Sequence, residues 1–334
     1  MIVFLSDREF GGTAIGPGRT ELYRIQPDGS GERQLTDNDL VYNIANVTSA
    51  HPSARSVLLE RIVPYGSDWI LDIVSVDTAG VLTQITDNLQ SRRATEWPTD
   101  PNWSPDGRSI LAAVQSLGLF DMEILEYSAD GATRQPLLPE NTTLDWKPRW
   151  SPTGEWVAYL SAEPRQPWQC HVVAGDGTAA RRIVEGRCDS MAWSHDGSFV
   201  VFSSIQAETG QYALWTAEAD GSNPRLLVPS GPGMRNPTLP AVSPDGRHLT
   251  FIATSNGGTI DIFISEPDGS AVRPLVASAG NDRDVSFSPD GKFIVFETDR
   301  FGPKELMVQS VDGGAPVRIT RSGYNRNPIW LAGS

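Results

Sequence analysis

The sequence predicts an all-β fold, a seven-bladed β-propeller whose blades are four-stranded antiparallel sheets. Three observations lead to this prediction. A Ser-Pro-Asp-Gly turn recurs with its glycines 47, 43, 49 and 45 residues apart, a spacing typical of four-stranded blades. A second turn recurs seven times, and the end of the chain completes its start. Six blades are the alternative count. Residues 1–334 form one domain in either case, because each repeat needs neighbours to bury its faces.

The first turn joins the first and second strands of a blade. Its five clear copies are Trp103–Gly107, Trp150–Gly154, Trp193–Gly197, Val242–Gly246 and Phe287–Gly291. Blade two departs from this signature with His51-Pro52-Ser53-Ala54, which makes its first hairpin the least well supported.

The second turn joins the third and fourth strands and is Asp-Gly in six of its seven copies. Such a pair allows the positive φ angles of a tight hairpin. Its glycines are Gly29, Gly80, Gly131, Gly177, Gly221, Gly269 and Gly313. Short runs rich in Val, Ile, Phe and Trp flank these turns and predict strands. No segment convincingly predicts a helix.

The two ends of the chain are expected to share one blade. Residues 327–330 repeat the innermost-strand sequence of residues 147–150 and 100–103. Residues 1–7 match the second-strand sequence of residues 293–299. Pairing of the N- and C-terminal strands would close the ring and remove the exposed sheet edges of an open array.

Composition narrows the classes of partner. The formal charge of −14 argues against nonspecific nucleic-acid or anionic-membrane binding, which depends on clustered Lys and Arg. No apolar run is long enough to insert into a membrane, and residues 1–7 lack the basic start of a signal peptide. The compartment stays open: cytoplasmic by default, periplasmic or secreted if a leader was removed. Cys170 and Cys188 are expected on one rim of one blade, as two free thiols rather than a bridge.

The repeated Trp-Ser-Pro-Asp-Gly-(Arg/Lys)-x-(Ile/Leu)-x-Phe text resembles the WD40-like (PD40) repeat of the TolB family of β-propellers. Ser6-Asp7-Arg8 and Thr298-Asp299-Arg300 are similar to the second-strand ending of that repeat. The resemblance covers essentially the whole chain. It implies the propeller architecture and leaves several functions open, because the family includes partner-binding periplasmic proteins, propeller domains of peptidases, and related lyases.

Most of the prominent residues have structural explanations. Trp103, Trp150, Trp193 and Trp330 share one repeat position, which predicts a packing role between sheets. The Asp-Gly aspartates lack the spaced acidic series of a calcium loop, so we interpret them as turn residues. The Asp-Arg pairs at 7–8 and 299–300 are expected to form ion pairs or turn caps.

Positions just before the innermost strand differ from blade to blade, as an asymmetric binding surface on a symmetric scaffold requires. One column reads Asn46, Thr99, Trp146, Asp189, Thr238, Arg283 and Arg326, and the next reads Val47, Asp100, Lys147, Ser190, Leu239, Asp284 and Asn327. The preceding column adds Asp145, Asp282 and Asn325.

We expect a binding site at the channel mouth that combines charges with a surface for stacking. Its predicted members are Asp145, Trp146, Lys147, Asp189, Asp282, Arg283, Asp284, Asn325, Arg326, Trp97 and Asp100. Arg can hold a carboxylate, Asp an amine or hydroxyl, and Trp an apolar face. A peptide or protein segment is the first choice of ligand and an oligosaccharide the second. The alternative is that these charges pair with one another around a water-filled channel.

Loops at the same rim add further candidates. Trp69 and Trp168 could widen the stacking surface or fold down their own loops. The glycine-rich residues 11–18 lack the Gly-Lys-Ser/Thr ending of a phosphate loop, so we expect a flexible rim loop there.

The sequence favours a noncatalytic recognition module over an enzyme. Of the four histidines, only His171 is expected near the rim, so no metal site and no cofactor are predicted. Cys170 and His171 are adjacent strand residues that point to opposite faces and would make a poor dyad. The elbow and metal-helix signatures of hydrolases are absent. Rim carboxylates could still serve a carbohydrate-binding or carbohydrate-cleaving propeller, which is the alternative function.

Overall fold

The computed structural model describes residues 1–7, 20–37, 43–53, 55–65, 68–88, 96–116, 121–139 and 143–331. These residues form 28 β-strands arranged as seven four-stranded antiparallel blades. The sheets of blades three and four are joined by one parallel bridge between Met122 and Leu144. The described residues contain no helix, and therefore no helix that could cross a membrane.

Blades one to four use the following strands. Blade one contains β28 (Asn325–Trp330), β1 (Ile2–Ser6), β2 (Glu21–Ile25) and β3 (Arg33–Gln34). Blade two contains β4 (Asn43–Ala50), β5 (Ser56–Tyr65), β6 (Asp68–Asp77) and β7 (Leu82–Gln84). Blade three contains β8 (Glu96–Trp103), β9 (Ser109–Ser116), β10 (Met122–Ser128) and β11 (Arg134–Pro136). Blade four contains β12 (Leu144–Trp150), β13 (Trp156–Ala162), β14 (Gln169–Ala174) and β15 (Arg181–Arg182).

Blades five to seven continue the same order. Blade five contains β16 (Cys188–Trp193), β17 (Phe199–Ile205), β18 (Tyr212–Glu218) and β19 (Arg225–Val228). Blade six contains β20 (Arg235–Val242), β21 (Leu249–Thr254), β22 (Ile260–Ser265) and β23 (Arg273–Val276). Blade seven contains β24 (Asp282–Phe287), β25 (Phe293–Thr298), β26 (Glu305–Ser310) and β27 (Val317–Arg318).

The predicted closure of blade one is confirmed. Strand β1 lies between β28 and β2, and its residue Ile2 is opposite Trp330 on one side and Ile25 on the other. The first and last described strands of the chain are therefore hydrogen-bonded neighbours in one sheet.

Both recurring turns form as the sequence predicts. In the first turn, Gly107 donates its backbone N–H to the carbonyl of Ser104, and the Ser104 hydroxyl donates to Asp106 at 2.7 Å. In the second turn, all seven glycines have positive φ. A Cβ at Gly131 would meet the backbone of Ile85 in the adjacent blade, so this position also needs glycine for packing. Blade two forms its first hairpin between β4 and β5 despite the altered signature.

The core lies between the faces of adjacent blades. One cluster joins Leu58 and Ile73 of blade two to Trp103 and Ile110 of blade three. Trp103 and Trp193 are buried, while Trp150 and Trp330 are half-buried at the edge of other clusters. The repeated aromatic position is therefore a packing position between sheets.

The expectation for the two cysteines is wrong. Cys170 and Cys188 form a disulfide with their Cα atoms 5.6 Å apart. They also belong to different blades, because Cys170 lies in β14 of blade four and Cys188 in β16 of blade five. The repeat spacing placed both thiols in one blade, whereas the bridge covalently ties one blade to the next.

Candidate functional site at the central cleft

The innermost strands share a bulge that the sequence analysis did not anticipate. Five residues of one predicted column adopt a left-handed backbone with φ of 50–53°: Asp100, Lys147, Leu239, Asp284 and Asn327. The register of the innermost strand shifts at or next to this position in each blade. A bulge bends a strand and changes the direction of a side chain. The side chains of this column therefore point differently from those of a regular strand.

A cleft of about 250 Å³ lies where the innermost strands of blades four to seven approach one another. We call it the central cleft. It is lined by Lys147, Arg149, Leu160, Ser190, Met191, Leu239, Pro240, Ala241, Ile252, Asp284 and Val285. Lys147 and Arg149 of blade four and Asp284 of blade seven adjoin an apolar surface that blades five and six mainly supply. Predicted site residues Lys147 and Asp284 are thus brought into one cavity.

An aromatic pair adjoins the cationic side of the cleft. The rings of Trp146 and Trp168 lie 5.5 Å apart at 48°, and the Lys147 ammonium lies 4.5 Å from the centre of the Trp146 ring. Both tryptophans are half-buried. This arrangement holds the lysine next to a flat apolar surface through a cation–π contact.

Asp284 supplies the anionic side of the cleft, and the buried Glu297 carries a second carboxyl group near it. Glu297 of β25 is 3% exposed and forms an ion pair with Lys304 through Oε1. Burial, followed by the repulsion from Asp284, raises the pKa of Glu297 to about 7. A raised pKa means that Glu297 holds a proton more readily than an exposed glutamate does.

A second carboxyl pair lies between two blades, with Glu60 in β5 of blade two and Asp100 in β8 of blade three. Glu60 accepts a hydrogen bond from the backbone N–H of Asp100 at 2.6 Å, and burial together with Asp100 raises the pKa of Glu60 to about 7. The Arg149 guanidinium lies 3.5 Å from Asp100 Oδ1. The Asp100 carboxylate is therefore partly neutralised within the protein.

Three predicted site residues are buried and hydrogen-bonded within the protein. Asp282 accepts hydrogen bonds from Arg300 at 2.8 Å and from the Ser278 hydroxyl at 2.9 Å. Asp145 accepts one from the Thr143 hydroxyl, and Asn325 donates to the backbone carbonyls of Lys304 and Ser322. All three are at most 1% exposed, so their side chains stabilise the strand entrance and do not line the cleft.

The other predicted residues do not line the cleft. Arg283 is exposed, and Asp189, Arg326 and Trp97 are half-buried. The side chain of Trp69 and the glycine-rich residues 11–18 lie outside the described part of the chain.

Neither histidine chemistry nor a metal cluster emerges from the described residues. His171 lies in β14 with its ring 5.3 Å from that of Tyr159, and burial lowers its pKa to about 4. No group of three or more metal-ligating side chains occurs among the residues that the structure describes.

The sequence analysis did not include three charged residues of this region, Arg149, Glu60 and Glu297. Each of them stands out in the sequence. Arg149 occupies a column that is otherwise small or apolar: Ser49, Asn102, Ala192, Ala241, Ser286 and Ile329. Glu60 and Glu297 each end a run of apolar strand residues. A charged residue at a repeat position that is otherwise small or apolar therefore indicates a candidate site residue.

Comparison with known proteins agrees with this architecture. A family model described as the TolB beta propeller domain matches residues 228–333. The Tol-Pal system protein TolB of Bordetella pertussis is 34% identical over 209 residues, which covers 47% of each chain. The chain spans about half the length of the curated relatives that it matches.

Solved structures show the same fold at low identity. TolB from Acinetobacter baumannii has a TM-score of 0.57 at 15% identity, covering 96% of this chain and 82% of that one. An oligogalacturonate lyase in complex with manganese has a TM-score of 0.67 at 15% identity, covering 93% of this chain and 86% of that one. These matches show that the chain is similar to the TolB beta propeller domain over residues 228–333 and that it shares the β-propeller fold of these solved structures.

Proposed function

We propose that the protein is a noncatalytic recognition module that binds a peptide or protein segment in the central cleft. The observation that carries the proposal is the pair of opposite charges on the cleft wall. Neither Lys147 nor Asp284 forms an ion pair with another described residue, and apolar Leu239, 41% exposed, lies in the same cleft. Buried or half-buried charges usually have partners, so the cleft is suited to a ligand that supplies them.

The surroundings of the cleft support a peptide in particular. A peptide presents carbonyl and N–H groups along its length, with charged and apolar side chains in alternation. Lys147 can hold a carboxylate or carbonyl, the Trp146–Trp168 pair offers a surface for an apolar side chain, and the cleft floor is apolar. A relative is named as a component of the Tol-Pal system, which is consistent with a protein partner.

A carbohydrate-cleaving function is less well supported by the carboxylates. Glycosidase pairs stand about 5–10 Å apart so that the scissile bond fits between them. Glu297 is 3% exposed and paired with Lys304, and Asp145 and Asp282 are buried in hydrogen bonds. An oligosaccharide panel screened for binding and turnover tests this alternative.

Two further parts of the proposal concern organisation and compartment. The continuous ring of blades supports a single domain over residues 1–334. The Cys170–Cys188 disulfide supports folding in an oxidising compartment such as the periplasm or the cell exterior.

Peptides selected from a random library on the folded protein test the proposal. We expect Lys147→Glu to weaken binding of the selected peptides by about tenfold or more, since it removes the cation and adds a second carboxylate to the cleft that Asp284 lines. Arg33→Glu, on the exposed outer strand β3, is the matched control and should change affinity by less than about twofold. Equal binding by both variants would contradict the assignment of the cleft, and a further variant reversing Arg283 and Arg326 would test the surrounding rim.

A further inference from the structure

Lys147 is a cation of the central cleft that has no anionic partner within the described part of the chain. None of the ion pairs between described side chains includes it, and its ammonium lies 4.5 Å from the centre of the Trp146 ring. The other cation of the cleft, Arg149, lies 3.5 Å from Asp100 Oδ1 and donates to the Pro148 carbonyl at 2.8 Å. Charges that are partly removed from water are usually paired, so Lys147 is available to an anionic group of a ligand.

Two residues of the cleft wall have a backbone conformation that their residue types disfavour. Lys147 has a φ of 53° and Leu239 a φ of 50°, and both line the cleft. Asp and Asn tolerate the left-handed region, whereas Lys and Leu adopt it at a cost. Leu239 is also 41% exposed, and its backbone N–H donates to the Ser190 hydroxyl at 3.0 Å. A cation and an exposed leucine that are both held at such a cost are expected of a surface that contacts a ligand.

The rest of the cleft is small and largely apolar. Its remaining apolar wall includes Met191, Pro240, Ala241, Ile252 and Val285. The volume of about 250 Å³ is below the roughly 300–1,000 Å³ of pockets that enclose drug-sized ligands, so the cleft accommodates one or two residues of a segment. A single residue with both an anionic group and an apolar side chain matches a cleft with a cationic end and an apolar floor.

The carboxyl-terminal residue of a peptide carries both groups on one Cα atom. An internal Asp or Glu does not, because neighbouring side chains of an extended segment point to opposite sides and its apolar neighbour would face away from the cleft. Asp284, in the wall contributed by blade seven, repels a carboxylate and accepts N–H groups. A carboxylate at the blade-four wall, with N–H groups of the segment towards blade seven, therefore suits both walls.

We propose that the central cleft binds the carboxyl-terminal residue of a peptide, with its carboxylate on the Lys147 ammonium and its apolar side chain against Leu239. This inference rests on the proposed function and names the part of the peptide that is bound. Lys147 donates a charge-assisted hydrogen bond to the carboxylate. The formal charge of −14 disfavours anions in general, so the apolar contact is needed in addition to the ion pair.

Titration of blocked tripeptides against the full chain tests this inference. The reference probe is acetyl-Ala-Ala-Leu with a free carboxylate, and the second probe is the same peptide with a terminal carboxamide. The third is acetyl-Ala-Ala-Ser with a free carboxylate, and the fourth, acetyl-Ala-Asp-Leu-amide, carries its carboxylate on a side chain. Chemical shifts of the isotope-labelled protein report binding.

We expect the reference probe to bind most tightly. The carboxamide should weaken binding by about tenfold or more, because it removes the charge-assisted hydrogen bond. The serine peptide should bind about fivefold or more weakly, because it buries less apolar surface. The side-chain carboxylate of the fourth probe should gain less than about twofold over the second probe, which has no carboxylate.

Matched substitutions assign the two contacts. Lys147→Asn removes the ammonium and keeps a residue that tolerates the left-handed backbone, so the free acid and the carboxamide should bind within about twofold of each other. Leu239→Asn should likewise bring the leucine and serine peptides together. Lys292→Asn, in the exposed turn before β25, is the matched control and should leave all affinities within about twofold. A thermal scan confirms that each variant is folded.

Four outcomes would overturn the inference. Equal affinity of the free acid and the carboxamide for the wild type excludes carboxylate recognition, as does an unchanged preference for the acid in Lys147→Asn. Binding of the fourth probe as tightly as the reference probe shows that the terminus is not what is recognised. The absence of reference-probe binding up to about 10 mM contradicts the inference as well. If library-selected peptides still lose affinity in Lys147→Glu, the proposed function stands and only the assignment of the carboxyl end is wrong.

Discussion

Among single residues, Glu60 gives the clearest pH-dependent prediction. Its pKa is raised to about 7 because the carboxyl is buried and lies beside Asp100. The folded state therefore binds more protons than the unfolded state between the ordinary glutamate pKa and pH 7. Stability from this group is present at low pH and is lost as the pH rises through about 7.

Substitution Glu60→Gln isolates this effect, because glutamine keeps an oxygen for the Asp100 N–H. Between pH 5 and pH 8 we expect the wild type to lose about 2–3 kcal/mol of unfolding free energy relative to the variant. Denaturant titrations of both proteins at the two pH values measure the difference. Parallel pH profiles would show that the Glu60 carboxyl is ionised as readily in the folded as in the unfolded protein.

The candidate site could be predicted only in part from individual residues. Lys147 and Asp284 were found because their column varies between blades. Asp145 and Asp282, two positions earlier in the chain, were grouped with them although they are buried. Repeat alignment gives the position along a strand but not the direction of a side chain, and the bulge at the second column changes that direction.

At the scale of secondary-structure elements, the turns were the predictable part of the fold. Their glycines have an unambiguous local requirement for positive φ. The bulge in the innermost strand was not predicted, because four of its five left-handed members precede proline, and a residue before proline ordinarily favours an extended conformation. The blade-to-blade disulfide was missed for a related reason: spacing within a repeat carries no information about distances between neighbouring blades.

The bulge predicts how the innermost strand responds to substitution. Asn327 has a φ of 50° in β28, a conformation that Asn and Gly tolerate and β-branched residues do not. We expect Asn327→Gly to change the unfolding free energy by less than about 1 kcal/mol and Asn327→Val to lower it by about 1–2 kcal/mol.

A neighbouring position provides the control for that comparison. Arg326 precedes Asn327 in the same strand and is not left-handed, so Arg326→Val should be tolerated to within about 0.5 kcal/mol. Denaturant unfolding of the three variants and the wild type gives all the values needed. A valine equally tolerated at both positions would show that the bulge relaxes without strain.

At the scale of the whole molecule, the ring is held by two kinds of closure. Strand β1 pairs with β28 and β2 within blade one, and the Cys170–Cys188 disulfide links blades four and five. Adjacent blades also contact each other through side-chain packing, as in the cluster that contains both cysteines. The disulfide therefore fixes an interface between blades, while β1 fixes the ring.

Reduction of the disulfide should weaken the whole ring without changing its fold. The bridge closes a loop with a sequence separation of 18 residues, for which loss of the cross-link is expected to cost about 3 kcal/mol. We expect the reduced wild type to unfold at a lower denaturant concentration than the oxidised protein, with thiol content checked by alkylation and mass spectrometry. The Cys170→Ala/Cys188→Ala variant should be unaffected by reductant. Identical midpoints for the fully reduced and fully oxidised wild type would mean that packing between blades four and five alone sets the stability of this interface.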